Sequence, residues 1–176
     1  IEAVNIKGFK QANMQIKDNQ SMVFDGIIAT TPTWKDIEFI RKNTKLPLIL
    51  KGITHPSYAK KAIEIGIDGI VVSNHGGRVL DTLVTTMDIL PKIVELVDNK
   101  IPIILDGGIT RGTDILKALA LGASAVMIGK PIMYALATAG ALGVAHSLKI
   151  LKDELEIAMA LTGCKTLRDI NKDILF

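Results

Sequence analysis

A parallel α/β fold is predicted from three features of the sequence. Four short apolar runs are each followed by a helical pattern. Each run ends in polar or glycine-rich residues. The 176-residue chain is also 48% hydrophobic, with a mean hydropathy of +0.35. That value suits strands buried on both faces, or a piece of something larger.

The lead-in, residues 1–32, shows no sustained period. Lys7-Gly8, Lys17-Asp18-Asn19 and Asp25-Gly26 read as loop, and the segment is expected to be partly disordered or to lie over another surface. Thr33 can cap a helix that starts at Trp34 and runs through Ile40. A buried strand is expected at 47–52 and an amphipathic helix at 57–65, ended by Gly66. The second strand is 69–73. The helix after it, 86–97, contains Pro91, tolerable as a kink or an element start. A third strand at 101–106 leads to a helix at 113–121 ended by Gly122. A fourth strand at 125–129 leads to a long helical region, 134–161, with Gly163 and Thr166-Leu167-Arg168-Asp169 closing the chain.

Four β/α units are half of an eight-fold barrel. Half a barrel leaves two parallel edges unpaired, which is a liability. The chain is therefore expected to need the missing half, another copy or an unusual packing. It starts at Ile1 rather than Met, which suggests a processed or truncated product. The +3 charge is modest and aromatics are 4%, so no basic–aromatic surface for nucleic acid is visible. The single Cys164 excludes an internal disulfide and a multi-cysteine metal site. No signal peptide is visible. The longest apolar stretch, 131–145, contains Gly140 and Gly143 and is short for a membrane span, so a buried helix is expected there. The terminal Asp173-Ile174-Leu175-Phe176 is not a Ser-Lys-Leu-type peroxisomal signal. The compartment stays open between the cytoplasm and, in a eukaryote, the peroxisome.

Parallel β/α folds carry their chemistry at the C-terminal ends of the strands. The second strand ends in Ser73-Asn74-His75-Gly76-Gly77-Arg78. His75 can move a proton near neutral pH, or simply bond to nearby backbone. Arg78 can hold a carboxylate with two parallel hydrogen bonds, or pair with Asp81. The two glycines allow a ligand close to the backbone. Together these residues indicate acid–base chemistry on a small anionic substrate. Lys51 ends the first strand, where a charge needs a partner such as an electron-rich cofactor ring, unless it snorkels to the rim. Asp106-Gly107-Gly108 and Gly129-Lys130 end the last two strands, and such loops commonly cradle a phosphate. Lys130 or Arg111 can neutralise its charge, and Asp106 can accept hydrogen bonds from sugar-like hydroxyls. Two ordinary turns are the alternative. His55 and His146 read as structural or surface residues, Trp34 and Lys35 as core or interface residues, and Cys164 as structural.

In these motifs the chain resembles the C-terminal half of the FMN-dependent 2-hydroxy acid oxidases and dehydrogenases. That family includes glycolate oxidase, lactate oxidase and the flavin domain of flavocytochrome b2. The resemblance rests on Thr33-Trp34-Lys35-Asp36, Leu48-Ile49-Leu50-Lys51-Gly52, the Ser73 to Asp81 signature, Leu105-Asp106-Gly107-Gly108, the Arg111 to Ala123 run, Ile128-Gly129-Lys130-Pro131 and Met159 to Cys164. It implies a TIM-barrel, (β/α)8 family fold, with this chain supplying about the last four units over 33–176. The lead-in looks like the mobile loop after the fourth barrel strand.

The resemblance implies FMN as cofactor and a small 2-hydroxy acid as substrate, oxidised to a 2-oxo acid. Oxygen, a quinone or a cytochrome would be the electron acceptor. His75 matches the catalytic base and Arg78 the carboxylate-binding arginine. Lys51 matches the lysine beside the flavin, and Ser73 a position near it. Asp106, Gly107, Gly108, Arg111, Gly129 and Lys130 fall where the ribityl-phosphate site lies. Two positions depart from the pattern. Thr110 stands where the family usually has an arginine, leaving Arg111, and Lys130 replaces the arginine of Gly-Arg-Pro. The family's first four strands, with the other flavin wall, substrate-binding tyrosines and an aspartate that pairs with the histidine, have no counterpart here. The N-terminal barrel half or self-association is therefore expected as a partner. Two other readings remain: a non-catalytic half-barrel that assembles with itself or a partner, and another phosphate-binding barrel of the isopentenyl-diphosphate isomerase or inosinate dehydrogenase kind. The His75–Arg78 pair argues against the latter.

Overall fold

The computed structural model describes residues 17–28 and 31–175, which fall into two compact units, Ile1–Asn43 and Thr44–Phe176. The loop expected at Lys7-Gly8 lies outside the described residues. In the first unit, Lys17 to Gln20 form a turn, as expected. The loop expected at Asp25-Gly26 is instead a π-helical segment, Met22–Ile27. Ser21 Oγ caps it by accepting from Phe24 N–H, and the Asp25 carboxylate reaches back to Ser21 N–H at 2.6 Å. Local capping thus overrides the weak apolar period. Helix α1, Trp34–Asn43, starts where Thr33 predicts. The Asp36 carboxylate accepts from both the N–H and the hydroxyl of Thr33 at 2.7 Å. Those two bonds, the hydroxyl's first, hold the Asp36 carboxyl below its ordinary pKa.

The second unit alternates strand and helix. Strand β1 is Ile49–Ile53, α2 Pro56–Ile65, β2 Gly69–Val72 and α3 Thr86–Val97. Then come β3 Ile103–Asp106, α4 Gly112–Ala120, β4 Ala125–Met127 and α5 Lys130–Leu161, followed by two 3₁₀ turns. All pairings are parallel, in the order β1-β2-β3-β4. The four strand C-termini therefore share one edge, as the sequence predicts. Ladder register runs from Ile49 opposite Gly69, through Ile70 opposite Ile103, to Ile104 opposite Ala125. It slips between Lys51 and Ile53, where Gly52 takes φ +99°.

Caps explain most element boundaries. His55 caps α2 by accepting from Ser57 N–H, with Pro56 opening the helix, so α2 begins one residue before the expected Ser57. Gly66 ends it in the left-handed region. Thr85 Oγ1 accepts from Asp88 N–H at the start of α3, and Pro91 sits inside the helix. Ile70, Val72, Leu90, Ile93, Val97 and Leu105 are fully buried between sheet and helices. A second cluster, Leu116, Ala120, Ala158, Cys164 and Ile170, joins α4 to the end of α5. Cys164 is structural, as its sequence position suggests.

Two burial expectations fail. Strand β1 is half-exposed and β4 largely so, because each is a sheet edge; only β2 is buried throughout. Residues 131–145 are not a buried helix either. Leu142 is 81% exposed and Tyr134 69%, and no residue of the stretch is buried. Ala139 and Gly140 leave helical geometry, Gly140 at φ +57°, and split α5 into two arms, 130–138 and 141–161. By length and composition α5 is the one helix among the described residues that could cross a membrane. This break interrupts it, and the second arm carries Lys149, Lys152, Asp153, Glu154 and Glu156.

Candidate active site

The site lies at the C-terminal edge of the sheet, where three neighbouring strands converge on one ammonium group. Lys51, on β1, donates to Ser73 Oγ at 2.8 Å and pairs with Asp106 Oδ2 at 2.8 Å. Ser73 follows β2 and is 1% exposed. Its hydroxyl oxygen also accepts from His75 N–H at 3.1 Å. Asp106 closes β3. Its other oxygen, Oδ1, is buried and has no hydrogen-bond partner among the described residues. Such an orphan is costly unless something donates to it. Parallel register sets this triangle: Lys51 lies opposite Val71, and Leu105 opposite Val72.

The loop after β2 is a tight turn. Asn74 Oδ1 accepts from Gly76 N–H at 3.1 Å and Gly77 N–H at 3.2 Å. His75, Gly76 and Gly77 take φ of +54°, +68° and +73°, three left-handed residues in succession. The glycines adopt this freely, whereas His75 is strained. The imidazole is exposed and bonds to nothing among the described residues, so the backbone-bonded alternative is not realised. The Arg78 guanidinium is likewise exposed and unpaired among the described residues, and it forms no salt bridge with Asp81. Lys130, at the start of α5, reaches across to donate to the Gly76 carbonyl at 2.7 Å.

Gly107 and Gly108 follow Asp106 at φ +89° and +80°. A Cβ on Gly107 would sit 2.9 Å from Asn74 Oδ1, and the Gly107 carbonyl accepts from Thr86 Oγ1 at 3.1 Å. The two loops are therefore packed face to face. At the start of α4, Asp114 Oδ2 accepts from the N–H groups of Thr110 and Arg111, both at 3.0 Å, and from the Thr110 hydroxyl. Burial opposes ionisation of Asp114. The Thr110 and Arg111 bonds, with the charge of Lys117, outweigh it and hold the carboxyl below its ordinary pKa. Glu154, from α5, accepts from Gly112 N–H at 2.8 Å and lies 3.5 Å from the Arg111 guanidinium. Carboxylates thus already take the leading N–H groups of α4. The start of α5 at Gly129 has no side-chain cap.

The structure brings together Lys51, Ser73, Asp106 and Gly107, and joins Lys130 to the loop that carries His75 and Arg78. It places the Arg111 side chain on Glu154 instead. Asn74, Thr86 and Glu154 escaped the sequence reading. Asn before Gly-containing turns is a local signal that could have found Asn74. Glu154 has none, since its partner is 42 residues away.

A profile of the FMN-dependent dehydrogenases matches residues 3–176. A peroxisomal (S)-2-hydroxyacid oxidase of Arabidopsis thaliana is 53% identical over 141 residues, 80% of this chain and 39% of that protein. An L-lactate oxidase of Roseobacter sp. (strain GAI101) is 46% identical over 160 residues, 91% of this chain and 43% of its own length. Among solved structures, mandelate oxidase with 3,3-difluoro-2-hydroxy-3-phenylpropionic acid superposes with a TM-score of 0.77 at 46% identity. That match covers 80% of this chain and 43% of that one. The chain thus spans about two fifths of the length of these relatives.

Proposed function

The chain belongs to the FMN-dependent dehydrogenase family, and from that premise we propose that its residues serve the oxidation of a small (S)-2-hydroxy acid to a 2-oxo acid. The observation that carries the reading is the Lys51–Ser73–Asp106 triangle with its orphaned Asp106 Oδ1. The chemistry of the donor set fits FMN. Asp106 Oδ1 would accept from a ribityl hydroxyl, and Gly108, with open space at its Cβ position, leaves room nearby. Lys130, Gly129 and Arg111 would face the phosphate. Lysine meets a phosphate as a point charge rather than a fork, and Glu154 already engages Arg111, so most of the phosphate's neutralisation falls to Lys130.

FMN, when bound, supplies the acceptor for the two electrons that leave the substrate's α-carbon. Lys51, held by Ser73 and Asp106, would place a positive charge beside the ring. Arg78, exposed and unpaired among the described residues, binds the substrate carboxylate through two parallel hydrogen bonds. His75 accepts a proton from the substrate at a ring nitrogen. Its strained backbone and exposed ring suit a group held ready for a ligand. Oxygen, a quinone or a cytochrome would be the onward electron acceptor.

A second reading is favoured by the exposed edges β1 and β4: the chain acts only once a complementary half, or a second copy, covers them. Anaerobic titration of the FMN-loaded chain with glycolate or (S)-lactate tests both. Bleaching of the flavin band that His75→Ala abolishes, with the flavin still bound, is the expected result. Unchanged bleaching in His75→Ala refutes the role of His75. A stable flavin-free oligomer in sedimentation supports the second reading.

A further inference from the structure

We propose that Lys130 is a positioning residue for the loop carrying His75 and Arg78, and that it links this loop to the phosphate end of the cofactor site. The second clause rests on the proposed function; the first stands on geometry alone. Three consecutive left-handed residues, one of them the non-glycine His75, persist only where surrounding contacts over-determine them. Asn74 holds the turn from inside. Its side-chain N–H reaches the Val84 carbonyl only at 3.5 Å, a long contact. The Lys130–Gly76 bond, at 2.7 Å, is the short one that ties the turn to a distant element, 54 residues away.

The Lys130 stem contributes as well as its charge. A Cβ on Gly76 would lie 3.3 Å from Lys130 Cε, so the aliphatic chain rests against the Gly76 Cα. Gly76 thus serves the left-handed turn and the close approach of the lysine. An ammonium has three N–H donors. One is spent on Gly76, which leaves donors for an anion at the start of α5. A phosphate there shares its cation with the backbone of the histidine loop. Occupancy at one end of the flavin then stiffens the loop at the other.

Hydrogen exchange of the amides in residues 75–80 tests this in the chain as it stands. In Lys130→Met those amides exchange faster by about tenfold, while β2 and α3 keep their protection. Lys130→Arg, which can still donate to the carbonyl, restores most of it. Equal exchange in wild type and Lys130→Met overturns the proposal, as does equal loss in the Met and Arg variants. FMN and riboflavin then separate the phosphate link. FMN is expected to add protection to 75–80 in the wild type but not in Lys130→Met, and riboflavin to add less. Equal protection by both flavins overturns the link. Flavin fluorescence reports binding independently. Failure to bind either flavin counts against the cofactor reading, and exchange in the flavin-free chain still decides the role of Lys130.

Discussion

Replacing Gly112 with alanine places a methyl group where the backbone of α5 already lies. The new Cβ would fall 2.1 Å from Leu155 N, 2.4 Å from the Glu154 carbonyl carbon and 2.6 Å from Glu154 Cβ. Neither backbone atom can rotate away, so α5 must retreat from α4 by more than an ångström. Forced overpacking of this kind costs about 1–3 kcal/mol. The retreat also weakens the 2.8 Å bond from Gly112 N–H to Glu154. Glu154 is about one-third exposed, so solvent screening reduces that loss to about 1 kcal/mol. The sum, about 3 kcal/mol, lowers Tm by roughly 6–12 °C for a chain of this size. Gly163→Ala is the control. Its φ is +75° with no atom within 4 Å, so only backbone strain of about 1–2 kcal/mol applies. Thermal unfolding followed by circular dichroism compares the two. A Gly112→Ala variant that melts with or above Gly163→Ala refutes the argument from close approach.

Two further outcomes follow from the site. Asp106→Ala removes both the partner of Lys51 and the orphaned oxygen, and FMN affinity measured by fluorescence is expected to fall about tenfold with little change in Tm. Asp114, whose folded pKa is depressed, contributes stability that is present above its unfolded pKa and lost as pH falls through the folded value. The Tm gap between wild type and Asp114→Ala should therefore be full near pH 6 and close below about pH 4; a gap independent of pH contradicts the capping bonds.

Local chemistry made much of the fold readable. Apolar β-branched runs gave the strands, because buried parallel strands need no polar alternation. Thr33 and Gly66 marked helix ends through caps that involve only neighbouring residues. Ser73 to Arg78 was recognisable because one strand end carries its whole signature. Errors arose where burial depends on what lies beside an element. The run at 131–145 is apolar enough for a core, yet Gly140 turns it and none of its residues is buried. Strands β1 and β4 are largely apolar too, but they are sheet edges and stay exposed.

By itself, the sequence determined the four β/α units, their parallel sense and the residues delivered to one edge, because periodicity and capping act over a few positions. Only the tertiary structure decided that Lys51 meets Ser73 and Asp106, that Lys130 holds the Gly76 carbonyl and that Glu154 takes both Gly112 and Arg111. The Lys51–Ser73, Lys130–Gly76 and Gly112–Glu154 bonds join residues separated by 22, 54 and 42 positions. Charge pairing at such range is set by strand register and helix packing, which bring one of many lysines to one of many carboxylates.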